Sequence, residues 1–211
     1  MFGTLIDERF PRMPWERFDT VVFDVGNVLL RFDPEKIMEE FIPARWHDAV
    51  REHVFHSPYW VAMDHGLLSL ADAADRFAGL LPEIGDEVRA MLVGWTPMKE
   101  VVPEGVAALR LCRERGKRVC ILSNYGDEAF RTAEENHAFL READVLVVSS
   151  RVGVMKPDPQ IYRILTQRCG SSPARTLFVD DNAQNIAEAL AMGWEALWAP
   201  EPSRIARFFG V

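Results

Sequence analysis

Little in this chain suits a secreted, membrane-embedded or nucleic-acid-binding protein. Its 211 residues include only three cysteines, Cys112, Cys120 and Cys169, all widely spaced. No disulfide framework or zinc pattern can be read from them, so a reducing cytoplasm is the expected setting. No run of about 18 uncharged apolar residues occurs, which argues against a membrane span. The stretch from Met1 to Arg12 carries Asp7 and Glu8 and lacks the apolar run of a secretory signal. Basic residues are in deficit, 24 Lys and Arg against 32 Asp and Glu, for a net charge of −8. Such a surface repels a polyphosphate backbone, and broad nucleic-acid binding is not expected. A small anionic substrate remains compatible, because a metal ion and one lysine reverse the potential locally.

What is present reads as an ordinary globular α/β chain, 48% hydrophobic and 27% charged, long enough for a core domain carrying a smaller insert. Four short apolar runs, Val21 to Phe23, Val119 to Leu122, Val145 to Val148 and Leu177 to Val179, suit strands buried on both faces, with a weaker fifth at Ala196 to Ala199. Helices fall between them. Pro103 opens one that Gly116 ends. Asp158 and Pro159 open another, ended by Gly170. A third follows Asn182, turns Ile186, Ala187, Leu190 and Ala191 inward and stops at Gly193. Strand alternating with helix predicts a doubly wound parallel sheet. From Pro34 to Met98 no strand is legible, only amphipathic segments broken by Pro43, Pro58 and Pro82. The economical reading is an all-helical cap over 34–98, hinged near Asp33–Pro34 and Thr96–Pro97, on a core of 18–33 and 99–211, with 1–17 as an N-terminal extension.

In open α/β sheets ligands bind beyond the carboxyl ends of the strands. Those ends carry Asp24-Val25-Gly26-Asn27, Ser123-Asn124 and Asp180-Asp181-Asn182, with Lys156-Pro157 before the last. Crowded carboxylates from Asp24, Asp180 and Asp181 would repel one another unless a cation neutralises them, and hard oxygen ligands suit magnesium. Alternatively, Asp181 and Asn182 simply cap the next helix. Ser123 and Asn124 offer a hydroxyl and main-chain N–H groups to an anion, or serve as a plain turn. Lys156 supplies a point charge for a phosphoryl group, or is a solvated loop residue.

These four segments resemble, in order, the signatures of the haloacid dehalogenase superfamily: VVFDVGNV at 21–28, CILSN at 120–124, VMKPDPQIY at 154–162 and FVDDNAQNI at 178–186. The wording FDVGNVLLRFDP, SNYGD and KPDPQIY is similar to the bacterial hexose-1-phosphate phosphatase branch, and to the N-terminal phosphatase domain of soluble epoxide hydrolase. The resemblance implies a helical cap and a magnesium-dependent phosphatase of small phosphorylated metabolites, monomeric or homodimeric. In it Asp24 forms an aspartyl-phosphate. Asp24, the Gly26 carbonyl and Asp181 hold magnesium with Asp180 close by, and Ser123, the Asn124 N–H and Lys156 bind the phosphoryl oxygens.

One departure matters. Most phosphatases of this superfamily carry a second Asp two residues after the nucleophile, as acid and base; here that place is Gly26. Asp33 is a candidate replacement, unless Asp33-Pro34 is only a turn and helix start; alternatively the leaving group needs little protonation, or activity is weak. Asp64-His65-Gly66 resembles an acidic-x-Gly loop found near substrate in capped relatives, but also reads as a helix–helix turn. Trp60 and Trp95 are candidate substrate contacts, or else core and cap–core packing like most tryptophans. His47, His53, His56 and His65 match no closed zinc spacing. Two other functions stay open: a metal-free haloacid dehalogenase, and a phosphate-binding regulatory module that turns over poorly.

Overall fold

The computed structural model describes residues 3–6, 14–95 and 100–211, with the backbone alone for Trp95. In chain order its elements begin with β1 (Leu5–Ile6) and β2 (Thr20–Phe23). Among the described residues five helices follow before any further strand: α1 (Pro34–Phe41), α2 (His47–Val50) running into a wide turn at Arg51–Phe55, α3 (Pro58–Asp64), α4 (Leu70–Leu80) and α5 (Gly85–Trp95). Alternation then sets in with α6 (Pro103–Glu114), β3 (Arg118–Ser123), α7 (Asp127–Asn136), β4 (Val145–Val148), α8 (Ser149–Val152) and α9 (Pro159–Cys169). It continues through β5 (Thr176–Asp180), α10 (Ala183–Ala191), β6 (Glu195–Trp198) and α11 (Pro202–Phe209). The six strands among the described residues are all parallel, in the order β1-β6-β5-β2-β3-β4. The doubly wound sheet read from the apolar runs is therefore the fold.

The sheet is buried on both sides because its strands alternate between two apolar cores. Val21, Phe23, Val119, Ile121, Leu177 and Val179 face α6, α7 and α11. Val22, Cys120, Leu122, Val147 and Phe178 face α9 and α10. Phe178 is fully buried with Tyr162 and Trp194 rings 5.9 and 6.0 Å away; truncation to alanine there would cost about 3–5 kcal/mol. The first turn of α6 sits directly on the backbone after β2. A Cβ at Gly105 would lie 1.7 Å from the Val28 carbonyl oxygen, so only glycine permits the approach. Val102 N–H donates to Leu29 O at 2.9 Å and Arg31 N–H to Glu100 O at 2.7 Å, which pins the same loop.

The helical segment after β2 has an apolar core of its own, containing Met38, Val50, Phe77, Val88 and Leu92. Its helices start on sequence-encoded caps: Asp33 accepts from Glu35 and Lys36 N–H, Ser57 from Tyr59, and Ser69 from Asp72. Pro34 and Pro58 occupy first positions, where a missing N–H costs nothing.

Three details differ from the sequence reading. Residues 1–17 are not wholly an extension, since Leu5–Ile6 pairs with Ala196–Leu197 as an edge strand; two residues are too few for periodicity to register. The strand at 196–199 begins instead at Glu195, whose buried carboxylate accepts from Thr4 N–H and Arg17. In α10, Ala187 and Ala191 are exposed while Asn185 and Ala189 are buried, because Asn185 turns inward to bond Asp180. The expected hinge at Thr96–Pro97 lies outside the described residues.

Candidate active site

The chain switches direction across the sheet between β2 and β5, which are direct neighbours. Phe23 pairs with Val179, so the next residues, Asp24 and Asp180, stand side by side at the carboxyl ends of β2 and β5. The Asp24 N–H donates to Val179 O at 2.9 Å, which fixes the nucleophile candidate against β5. One carboxylate oxygen each from Asp24, Asp180 and Asp181 lies within 4.8 Å of the others.

Lys156 reaches this cluster from the loop before α9. Its ammonium sits 2.8 Å from Asp24 Oδ1 and 2.7 Å from Asp180 Oδ2. Asp24 is 8% exposed, Lys156 2% and Asp180 0%, so the triad has little water to screen it. Asp180 also accepts from Asn182 N–H at 2.7 Å and from the Asn185 amide at 3.1 Å. Asp180 thus holds Lys156 and the first turn of α10 while an oxygen of its carboxylate still faces those of Asp24 and Asp181. Counted as ions, three carboxylates face one ammonium, leaving two negative charges in surplus. Burial pushes the Asp24 carboxyl up to about 7, against the pull of Lys156, and Asp180 and Asp181 add to the rise. Burial likewise raises Asp181, opposed by the Asn27 amide and reinforced by Asp180. Burial alone would lower Lys156, but Asp180 and Asp24 outweigh it and the ammonium is held above its ordinary range. The surplus is the condition a divalent cation relieves, and the donor set is all hard oxygen.

The supporting residues are side-chain amides that composition did not single out. Asn27, at φ 53, donates to Asp181 Oδ2 at 3.0 Å and accepts from Phe32 N–H at 3.0 Å. Asparagine tolerates that left-handed backbone better than most residues. The Asn124 side chain is spent on Lys156, accepting from its N–H at 2.7 Å and donating to its carbonyl at 2.8 Å; only the Asn124 main chain remains for an anion. The Ser123 hydroxyl is 1% exposed and lacks a hydrogen-bond partner among the described residues. Ser123 does not itself line the cavity over the cluster; its orphan hydroxyl ends β3, one residue before the Asn124 that holds Lys156, and is a group for which an added polar partner would be expected. The signal that could have revealed Asn27 and Asn185 is their placement, one residue past Gly26 and in the first turn after Asp180-Asp181.

A cavity of about 250 Å³ opens over the cluster. Asp24, Gly26, Lys156 and Asp181 form its floor side, and Phe32, Trp60, Asp64 and Tyr125 line it as well. A Cβ on Gly26 would meet nothing within 4 Å, so no crowding demands glycine there. Asp33 does not line the cavity; it caps α1, accepting from Glu35 and Lys36 N–H at 3.1 and 3.2 Å. Asp64 lines it, from the end of α3. Gly66 does not. It abuts the core, where a Cβ would lie 2.4 Å from Ser150 O at a φ of +76°. The Trp60 ring lies 6.1 Å from Phe32, and the Trp95 side chain is outside the described residues.

A sequence profile of haloacid dehalogenase-like hydrolases matches residues 18–193. A phosphatase of Mycobacterium tuberculosis is 30% identical over 191 residues, 83% of this chain and 84% of that protein. A sesquiterpene phosphatase of Aspergillus oryzae is 24% identical over 85% of this chain and 89% of its own length. A haloacetate dehalogenase of Moraxella is 32% identical, but over 46% of this chain and 43% of its own length. The fold is shared with a haloacid dehalogenase family enzyme of Bacteroides thetaiotaomicron, crystallised with magnesium and inorganic phosphate: TM-score 0.70, 22% identity, 86% of this chain and 93% of that one.

Proposed function

The chain belongs to the haloacid dehalogenase-like hydrolases, and from that membership we propose that it is a magnesium-dependent phosphatase acting through an aspartyl-phosphate on Asp24. The observation that carries the reading is the Lys156 ammonium shared between Asp24 and Asp180 beside a third acid, Asp181. That arrangement keeps one Asp24 oxygen anchored while the acids as a group call for a cation. Asp24, Asp181 and the Gly26 carbonyl are the groups that would hold magnesium, which supplies charge neutralisation for the acids and for the phosphoryl oxygens. Lys156, the Ser123 hydroxyl and the Asn124 main chain bind the phosphoryl oxygens. Asp24 attacks phosphorus, and water then hydrolyses the acyl phosphate, dividing one difficult displacement into two easier ones.

The substrate class is a small phosphomonoester, with a sugar phosphate as the favoured member. A 250 Å³ cavity flanked by Trp60 and Phe32 supports that size. Residues 34–98 act as a cap over a core of 18–33 and 99–211, excluding bulk water and shaping selectivity; the insert's separate apolar core supports this division. The dehalogenase reading draws on the Moraxella relative, but a metal-free site would leave two surplus negative charges beside an anionic substrate.

The test is phosphate release from a panel of sugar phosphates with and without magnesium. Release that needs the metal and vanishes in Asp24→Asn is the expected result. Halide release from haloacids without metal would replace the reading with a dehalogenase, and phosphate retained on Asp24 without turnover would replace it with a regulatory module.

A further inference from the structure

Gly26 has no side chain to give a proton to a departing alkoxide, so the site needs an acid from elsewhere. Among the described residues lining the cavity, the ionisable groups are few. Asp24 is the nucleophile, Asp181 faces the cation, and Lys156 is shared between two carboxylates. The Tyr125 phenol is pushed well above its ordinary range by burial and by Asp64. The other polar linings are amides, which do not exchange protons usefully. One carboxyl remains, Asp64.

We propose, building on the phosphatase reading, that Asp64 protonates the leaving-group oxygen and then takes the proton of the attacking water. As Asp24 forms its bond to phosphorus, the bond from phosphorus to the leaving oxygen breaks and that oxygen receives the Asp64 proton. Water then attacks phosphorus, the Asp24–phosphorus bond breaks, and the water's proton returns to Asp64. The cycle consumes one water and leaves both carboxyls as they began.

Three contacts hold this acid of the helical insert against the core. The Asp64 carbonyl accepts from the buried Ser149 hydroxyl at 2.5 Å, and that oxygen in turn accepts from Tyr125 N–H at 2.9 Å. The Asp64 carboxyl accepts from the Gly126 N–H. Two residues on, Gly66 packs against the Ser150 backbone so closely that no Cβ fits. Burial, opposed by the Gly126 bond, pushes the Asp64 carboxyl up to about 7, where a group can both give and accept a proton near neutral pH. The acid thus arrives with the insert, and the core site is incomplete without it.

Asp64→Asn keeps the shape and an acceptor for Gly126. Its kcat/KM should be compared with wild type on glycerol phosphate, a poor leaving group, and on 4-nitrophenyl phosphate, which needs no proton. The expected loss is about 10²–10⁴-fold on the former and under about tenfold on the latter. A burst of one nitrophenol per enzyme should precede slow turnover, and Gly26→Asp in the same background should recover glycerol phosphate turnover, since open space surrounds position 26. Unchanged rates on both substrates, or an equal loss on both that Gly26→Asp does not relieve, would overturn the role of Asp64 while leaving the phosphatase reading intact. If wild type released phosphate from neither of these nor from any sugar phosphate of the panel, both readings would fall.

Discussion

The Lys156 ammonium lies 2.8 Å from the Asp24 carboxylate, with the two side chains only 1% and 12% exposed. A second carboxylate, Asp180, stands 2.7 Å away on the other side. The lysine is therefore the counter-ion that makes two buried acids tolerable, in addition to the phosphate-binding role proposed for it. Such a pair gives little net stability over an apolar substitute, but removing one partner leaves the others unpaired in a poorly solvated place.

Lys156→Met should accordingly abolish phosphate release and destabilise the fold by about 3–5 kcal/mol. For a chain of this length that is a fall in Tm of roughly 2–4 °C per kcal/mol. Thermal melts at pH 7 and pH 4 check the cause: the deficit should shrink at the lower pH, as Asp24, whose carboxyl is already raised to about 7, becomes neutral. A deficit equal at both values would mean lost packing rather than stranded charge.

Asp33 makes the contrasting case. Its carboxylate is used twice over as a cap, by Glu35 and Lys36 N–H. Asp33→Asn should leave turnover within about twofold and Tm nearly unchanged, because asparagine caps as well as aspartate; Asp33→Ala should cost about 1 kcal/mol with no change in the pH–rate profile. A large kcat loss in Asp33→Asn would return this residue to the reaction.

Asp33 also marks where the sequence was legible. Apolar runs and the polar residues ending them located β2 to β5, and with them Asp24, Ser123 and the Asp180-Asp181 pair, because strand burial and strand-end placement are local properties; Lys156, in the loop before α9, was legible only through the family-like Lys-Pro segment. Which carboxylate does what is not local. Asp33 and Asp64 look alike in sequence, each next to a helix boundary. The difference is three-dimensional: one bonds its own helix start, the other is carried across the insert–core boundary into the cavity. The same limit hid Asn27 and Asn185, whose amides matter only through partners 154 and 5 residues away, and the edge strand Leu5–Ile6, which is defined by its partner β6.

Metal dependence should be visible without any turnover. A cation bound only by the folded state stabilises it by mass action, about 2.7 kcal/mol at a hundredfold excess over Kd. Adding magnesium should raise Tm and chelation should lower it, while Asp181→Asn removes most of the response. Asn27→Gly tolerates the left-handed backbone but deletes the 3.0 Å bond to Asp181, along with the acceptor of the Phe32 N–H. It should weaken magnesium affinity about 10–100-fold, the usual effect of losing a group that orients a ligand. A full magnesium response in Asp181→Asn would move the cation elsewhere.

Asp64 supplies a test of its surroundings that is independent of catalysis. Burial raises its carboxyl from 3.8 to about 7, with the Gly126 N–H opposing. A folded-state value above the unfolded one means the native state holds the proton more tightly, so the stability this group contributes is complete below about pH 4 and is lost as pH rises towards 7. Asparagine mimics the protonated form at every pH. Asp64→Asn should therefore match wild type in Tm near pH 4 and exceed it at pH 8, at roughly 2–4 °C for each kcal/mol relieved. The gain is tempered because Asp64 keeps part of its surface open. A variant more stable yet slower on poor leaving groups is the signature of a strained acid retained for chemistry; equal melting temperatures at pH 8 would show that the carboxyl is comfortably solvated and not held in reserve as a proton donor.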